Sequence, residues 1–265
     1  MTNPLIVAIP YCRKDSTETK RLLSWCAELN EHSLKGHMIL FAADASVPRD
    51  MITEIHAMGK KIAGYCETIL VDVPADKQEW GTATKIMFAK VANQIEQVCK
   101  LPWLWMEPDC VPLKENWANQ LADAYAECPR LFMGTRCVPD ISGPPHMAGP
   151  GIYPNNAYSL LKESLDLAPH FDIAIAPFVI PRMVETPLIQ HFWGKPGLAP
   201  AFKIGERTEA EPENVVNAAN ISPKAVLWHR NKDGSLIECL RKLRFSLSSA
   251  PPAKPVVKSR NPVLA

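Results

Sequence analysis

Over the first hundred residues, apolar runs and mixed segments alternate with a regular rhythm. Leu5–Pro10 (LIVAIP) is a short β-rich apolar run, followed by the polar YCRKDST. From Thr17 to Leu29, residues Leu22, Leu23, Trp25, Cys26 and Leu29 recur at helical spacing. Gly36 interrupts, and His37–Ala43 (HMILFAA) predicts a second strand closed by Asp44. Pro48 sits where a first helical turn begins. Met51, Ile52, Ile55 and Met58 then mark one face of a second helix, which Gly64 ends. Thr68–Val73 (TILVDV) predicts a third strand. Glu79–Lys100 predicts a long helix with Ile86, Met87, Ala89, Val91, Ile95 and Val98 turned inward, and it leads into the apolar run Trp103–Met106 (WLWM).

A βαβα rhythm of this kind belongs to an α/β fold: a mixed, mostly parallel sheet flanked by helices on both faces. Ligands in such sheets bind beyond the carboxyl ends of the strands. The residues to inspect are therefore Pro10 to Arg13, Asp44, and Glu107 to Asp109, each directly after a strand.

The rhythm changes after a predicted helix at Asn116–Cys128. Leu131–Cys137 and Met147–Tyr153 predict strands separated by a Pro/Gly loop. Asn155–Leu165 reads as helical, and Asp172 as the cap of a short helix interrupted by Pro177 and Pro181. Thr186–Trp193 (TPLIQHFW) and Ala225–Trp228 (AVLW) are late strands. Asp233 or Ser235 caps a final helix over Leu236–Leu243, and from Ser246 onward the composition is that of a flexible tail.

At 265 residues and 47% hydrophobic, the chain can bury a sizeable core. Its net charge of +1 excludes a generally polyanion-coating protein but not a local basic patch. No apolar stretch approaches the roughly 20 residues that span a bilayer, and MTNPLIVAIPYCRKD lacks the basic start of a signal peptide. Eight cysteines without a CxxC pair predict buried, reduced thiols and a cytoplasmic setting.

The chemistry concentrates where WLWM ends. Glu107 and Asp109, spaced i and i+2 around Pro108, suit a hard divalent cation with phosphate and water filling its remaining positions. His229 follows a second apolar run, VLW, and can complete such a site. Lys232 can meet phosphate oxygens, and Gly149 and Gly151 in MAGPGIYP let backbone approach a ligand.

In this order the motifs resemble the nucleotide-sugar-dependent glycosyltransferases of the GT-A (Rossmann-like) fold. The pattern is a βαβ start, an apolar strand ending in a DxD-type motif (Glu107-Pro108-Asp109), a glycine-containing loop (Ala148 to Tyr153) and a late histidine. The resemblance spans about residues 4–245 and implies one catalytic domain over 1–245. Residues 1–113 would be its nucleotide-binding half, 114–245 its acceptor half, and 246–265 a basic tail. It implies Asp109 and His229 as ligands to Mn²⁺ or Mg²⁺, and Glu107 on ribose or on the metal through water. Pro10, Tyr11 and Arg13 would lie along the nucleoside, with Asp44 on the base and Lys85 near the nucleotide. The chain departs from the family in the glutamate that opens its DxD motif and in having no acidic pair on the acceptor side. Asp172 is the carboxylate assigned to take the acceptor's proton.

The donor implied is a nucleoside-diphosphate sugar. Lys224, Arg230, Lys232, Arg241, Lys242, Arg244, Lys254, Lys258 and Arg260 make a basic C-terminal section beside the site. This section points to a polyanionic acceptor, a hydroxymethylpyrimidine in DNA, as in viral enzymes that the chain resembles. A surface polysaccharide acceptor, a nucleotidyltransferase and a non-catalytic nucleotide- or carbohydrate-binding module are the competing readings.

Overall fold

Alternate residues of the first strand enter different cores, and this sets the layers of the protein. The computed structural model describes residues 3–30, 32, 34–137, 144–191, 221–230 and 232–248, with the backbone alone for 244–248. In β1 (Ile6–Tyr11), Val7, Ile9 and Tyr11 join one apolar cluster while Ile6 and Ala8 join the other. This is the period-2 signature of a strand buried on both faces. The first cluster also takes its side chains from α1 (Ser16–Asn30), α2 (Arg49–Ile62), α4 (Trp117–Ala126) and α8 (Ser235–Ser248). The second draws on α3 (Trp80–Val98), α5 (Ala157–Leu161), α6 (Phe171–Ala174) and α7 (Ala176–Val179).

The remaining strands of the main sheet are β2 (Leu34–Asp44), β3 (Ala63–Val71), β4 (Trp103–Trp105), β6 (Phe132–Cys137), β7 (His146–Tyr153) and β8 (Met183–Glu185). They lie in the order β3-β2-β1-β4-β7-β6-β8. β1 pairs parallel with β2 and β4, β2 with β3, and β6 with β8, while β7 runs antiparallel to both β4 and β6. The chain winds outward from β1 to β3 and then returns to place β4 on the other side of β1. That reversal opens a crevice at the carboxyl ends of β1 and β4. Among the described residues, no helix is long and apolar enough to cross a membrane.

β4 is short but firmly held. Phe88 of α3 lies among Trp103, Trp105, Tyr153 and Phe171, with ring centroids 4.4–5.4 Å away. Trp103 Nε1 donates to the Pro154 carbonyl at 3.0 Å. Aromatic pairs of this kind add about 0.5–1.5 kcal/mol each beyond the area they bury.

A second, three-stranded sheet decides the site. β5 (Val111–Pro112) begins two residues after Asp109 and pairs antiparallel with β10 (Leu227–His229), matching Val111 with Trp228. β10 pairs parallel with β9 (Ile189–His191), matching His229 with His191.

Several predicted boundaries move. β3 starts at Ala63, directly after α2, so Gly64 lies inside a strand instead of ending a helix. A Cβ at Gly64 would stand 2.2 Å from the Lys35 carbonyl oxygen, so the glycine permits a close approach of neighbouring strands. The helix expected at Asn155–Leu165 shortens to α5. The strand expected over Thr186–Trp193 shortens to β9, with β8 lying just before it and Phe192 and Trp193 outside the described residues. Asp172 occupies the first turn of α6, whose cap position is His170. The final helix reaches Ser248, past the start of the expected tail; 249–265 lie outside the described residues.

Candidate metal and nucleotide site

Glu107, Pro108, Asp109 and Cys110 form one turn, closed by the Cys110 N–H donating to the Glu107 carbonyl at 2.9 Å. Proline at its second position presets φ for such a turn. Just before it, the Met106 N–H donates to the Ala8 carbonyl at 2.9 Å and ties the turn to β1. Both carboxylates therefore leave a short, anchored stretch of backbone.

His229 meets them from the second sheet. Its Nε2 is 3.1 Å from Glu107 Oε2 and 3.3 Å from Asp109 Oδ1. Lys232 Nζ lies 3.3 Å from Asp109 Oδ2. On either side of Lys232, Arg230 takes a φ of 81° and Gly234 a φ of 82°, so the chain turns sharply after β10. A non-glycine residue in that region stores backbone strain of about 1–3 kcal/mol, a cost that concentrates at functional sites.

Electrostatics follows from this crowding. Burial opposes charge on Asp109, but His229 and Lys232 outweigh it and hold the carboxyl below its usual range. Burial likewise disfavours an imidazolium at His229, yet Asp109 and Glu107 push its pKa up to about 9. Both Asp109 oxygens are shut away from solvent, and neither contact supplies hydrogen-bond geometry. Two carboxylates and one imidazole offer ligand atoms within 4.8 Å of one another. That donor set, with a buried carboxylate at its centre, fits a hard divalent cation.

Gly149 completes the setting. A Cβ there would lie 2.2 Å from Glu107 Oε1, so the glycine leaves room for the carboxylate against β7. A cleft of about 170 Å³ opens beside the cluster, lined among others by Pro10, Glu18, Trp80, Thr84, Asp109 and Lys232. Trp80 is 68% exposed, tilted against the His170 ring at a centroid distance of 4.8 Å. Glu18 carries a buried Oε2 without a hydrogen-bond partner.

The other residues singled out in the sequence take varied positions. The Tyr11 ring is buried against Phe41 and its hydroxyl has no partner, which leaves little more than its backbone to face the cleft. Arg13 is exposed and stands apart from the cleft lining. Asp44 accepts from the Ser46 N–H at 2.8 Å and from its hydroxyl, closing the turn after β2. Lys85 turns to Ala168 and Asp166, at 3.4 and 3.7 Å. A Cβ on Gly151 would meet the Met147 thioether, so this glycine serves strand packing. Asp172 is half-buried, with its Oδ2 3.8 Å from His146 Nε2. Burial raises its carboxyl pKa, as does Glu107, against the opposing pull of His146. His146 Nδ1 donates to the Pro144 carbonyl at 2.8 Å, which turns Nε2 toward Asp172.

Four residues escaped the sequence reading: Glu18, His146, His191 and Trp80. His191 carried a legible signal, since LIQH and VLWH are both apolar runs that finish in histidine. Trp80 carried none, because nothing in a helical pattern marks which tryptophan stays exposed.

No family model and no curated protein matches the sequence. Solved structures do match the fold. Mouse xyloside xylosyltransferase 1 aligns with a TM-score of 0.50 at 8% identity, covering 86% of this chain and 98% of that one. An active-site mutant of LgtC aligns with a TM-score of 0.50 at 9% identity, covering 94% and 98%. A glycosyltransferase that acts in glycosylating the major capsid of PBCV-1 aligns at 0.49 and 12% identity, covering 90% and 98%. At such identities the two alignments at 0.50 establish the fold alone, the mixed α/β arrangement of GT-A glycosyltransferases, and the chemistry rests on the residues themselves.

Proposed function

We propose that the protein is a metal-dependent glycosyltransferase that moves a sugar from a nucleoside-diphosphate sugar to a hydroxyl acceptor. The observation that carries this reading is the Glu107–Asp109–His229 cluster at the sheet's switch point, with both Asp109 oxygens buried and held in ion pairs with His229 and Lys232. Asp109 and His229 would hold Mn²⁺ or Mg²⁺, with Glu107 beside them. The bound ion supplies charge neutralisation to the departing diphosphate.

The chain's own residues do the rest. Lys232, at the lip of the cleft, offers an ammonium to phosphate oxygens. Glu18 offers an unpaired acceptor to a nucleoside hydroxyl or N–H, and Trp80 an exposed aromatic face to a ring of the substrate. Asp172 takes the acceptor's proton as its oxygen bonds to the anomeric carbon and the carbon–oxygen bond to diphosphate breaks. A partly buried carboxyl with a raised pKa is suited to receive that proton. Residues 1–113 form the donor half in this reading and 114–245 the acceptor half.

A hydroxymethylpyrimidine in DNA is the acceptor candidate that the basic C-terminal section suggests. Within that section Arg241 is neutralised by Glu28 and Glu238, and Lys232 faces Asp109. Lys254, Lys258 and Arg260 lie outside the described residues.

A thermal-shift panel of nucleoside diphosphates and nucleotide sugars, with and without Mn²⁺, tests the donor reading. A metal-dependent rise in Tm with one nucleotide family, lost in Asp109→Asn, is expected by linkage. No rise with any donor refutes it. Transfer assays then compare hydroxymethylated DNA with soluble sugar acceptors. Turnover should fall in Asp172→Asn while donor binding stays, and unchanged turnover removes Asp172 from the mechanism.

A further inference from the structure

His191 and His229 are register partners on adjacent parallel strands, so their side chains leave the same face of the small sheet. Both are buried, at 7% and 6% exposure. Their Nδ1 atoms are 2.8 Å apart and the ring planes are inclined at 47°. A contact this short between two ring nitrogens needs one proton between them: one ring donates and the other accepts.

The other end of His229 decides which. Its Nε2 faces Glu107 and Asp109, and a nitrogen that binds a metal must present a lone pair. A neutral imidazole carries one proton, so a ligating Nε2 leaves that proton on Nδ1, where its partner is His191. The reverse arrangement, with His191 Nδ1 donating, puts the His229 proton on Nε2 and closes that nitrogen to a metal.

We propose that His191 is a positioning residue for the metal centre: its Nδ1 accepts from His229 Nδ1–H, holding the tautomer and ring plane that aim His229 Nε2 at Glu107 and Asp109. The inference rests on the metal reading of that cluster and adds a residue that does not itself touch the ion. An outer partner on the far nitrogen of a ligating histidine typically contributes 10–100-fold in metal affinity. The strand pairing gives the device its rigidity, because β9 and β10 fix the two rings in register before any metal arrives.

The test is a Mn²⁺ titration followed by electron paramagnetic resonance on wild type, His191→Asn and His191→Phe. Asparagine keeps an acceptor near the Nδ1 position, whereas phenylalanine keeps the ring and loses the acceptor. Binding should weaken about 10–100-fold in H191F and be substantially restored in H191N. Equal Mn²⁺ affinity in all three overturns the proposal while leaving the metal site standing. A wild type that binds no Mn²⁺ overturns the metal reading and the proposal together.

Should H191F fail to fold, ¹⁵N spectra of histidine-labelled wild type decide the same question. With diamagnetic Zn²⁺ bound, His191 should be protonated at Nε2, with an unprotonated Nδ1 that accepts from His229. Protonation of His191 at Nδ1 overturns the proposal. A purely packing role for His191 predicts no preference between its tautomers.

Discussion

Gly149→Ala probes the metal site without removing any ligand. An ideal Cβ at this position lies 2.2 Å from Glu107 Oε1 and 3.3 Å from Glu107 Cδ. Ordinary contact begins at 3.4 Å, so the oxygen must retreat by about 1.2 Å, the difference between 3.4 and 2.2. The carboxylate cannot move one oxygen alone, because Oε2 sits 3.1 Å from His229 Nε2 and moves with it. Glu107 is partly open to solvent and can swing outward, so the stability loss should lie at the lower end of the 1–3 kcal/mol typical of overpacking.

The functional loss should be larger than the loss of stability. A displacement of about 1 Å at a catalytic constellation costs on the order of a hundredfold in turnover. Mn²⁺ affinity should fall about tenfold, in the range of perturbed metal surroundings. Gly151→Ala is the control on the same strand. Its Cβ meets the flexible end of Met147, with Cε at 2.8 Å and Sδ at 3.1 Å, so it should lower Tm and leave Mn²⁺ binding unchanged. A calorimetric Mn²⁺ titration of both variants, beside their melting curves, checks the pair. If Gly149→Ala binds Mn²⁺ as wild type does, Glu107 has no part in the centre and the reasoning fails.

Three further outcomes follow from named contacts. Trp80→Ala should leave Tm nearly unchanged, since the ring is 68% exposed, while raising KM for one substrate about threefold to tenfold, the equivalent of a lost aromatic stack; steady-state kinetics with each substrate varied will show whether either KM moves. Phe88→Ala removes the ring packed on Trp103, Trp105, Tyr153 and Phe171 and should cost about 3–5 kcal/mol in urea unfolding; a loss under 1 kcal/mol would mean the cluster does not anchor β4. His37 has a lowered pKa because burial disfavours its charge, against the opposing effects of Asn119 and Asp123. The unfolded chain therefore binds more protons between pH 6.5 and the lower folded value. Stability from this residue is present above that window and lost as pH falls through it, by up to about 1.4 kcal/mol per pH unit. Urea titrations from pH 7.5 to 5 should show a shallower decline in His37→Gln than in wild type, and identical slopes would refute the assignment.

Apolar periodicity alone dictated the layers and the place of the chemistry. Buried strands such as LIVAIP and WLWM are apolar on consecutive positions because helices cover both faces, and the intervening helices show one apolar face each. Those periodicities imply a largely parallel sheet, and a largely parallel sheet puts ligands at its carboxyl edge, where Glu107 and Asp109 stand. The carboxylate pair was legible because it interrupts an apolar run.

Which residues at that edge face the cleft depends on how the folded elements meet. Tyr11 and Pro10 are neighbours in sequence, yet the strand's alternation sends the Tyr11 ring into the core against Phe41. Asp44 ends a strand, but its Oδ1 accepts both the N–H and the hydroxyl of Ser46 in the turn that follows. The joining of His229 and His191 to the carboxylates depends on a three-stranded pairing between segments far apart in the chain. Local propensity carries no information about such pairing, because the free energy that selects it comes from burying side chains the chain brings together only on folding.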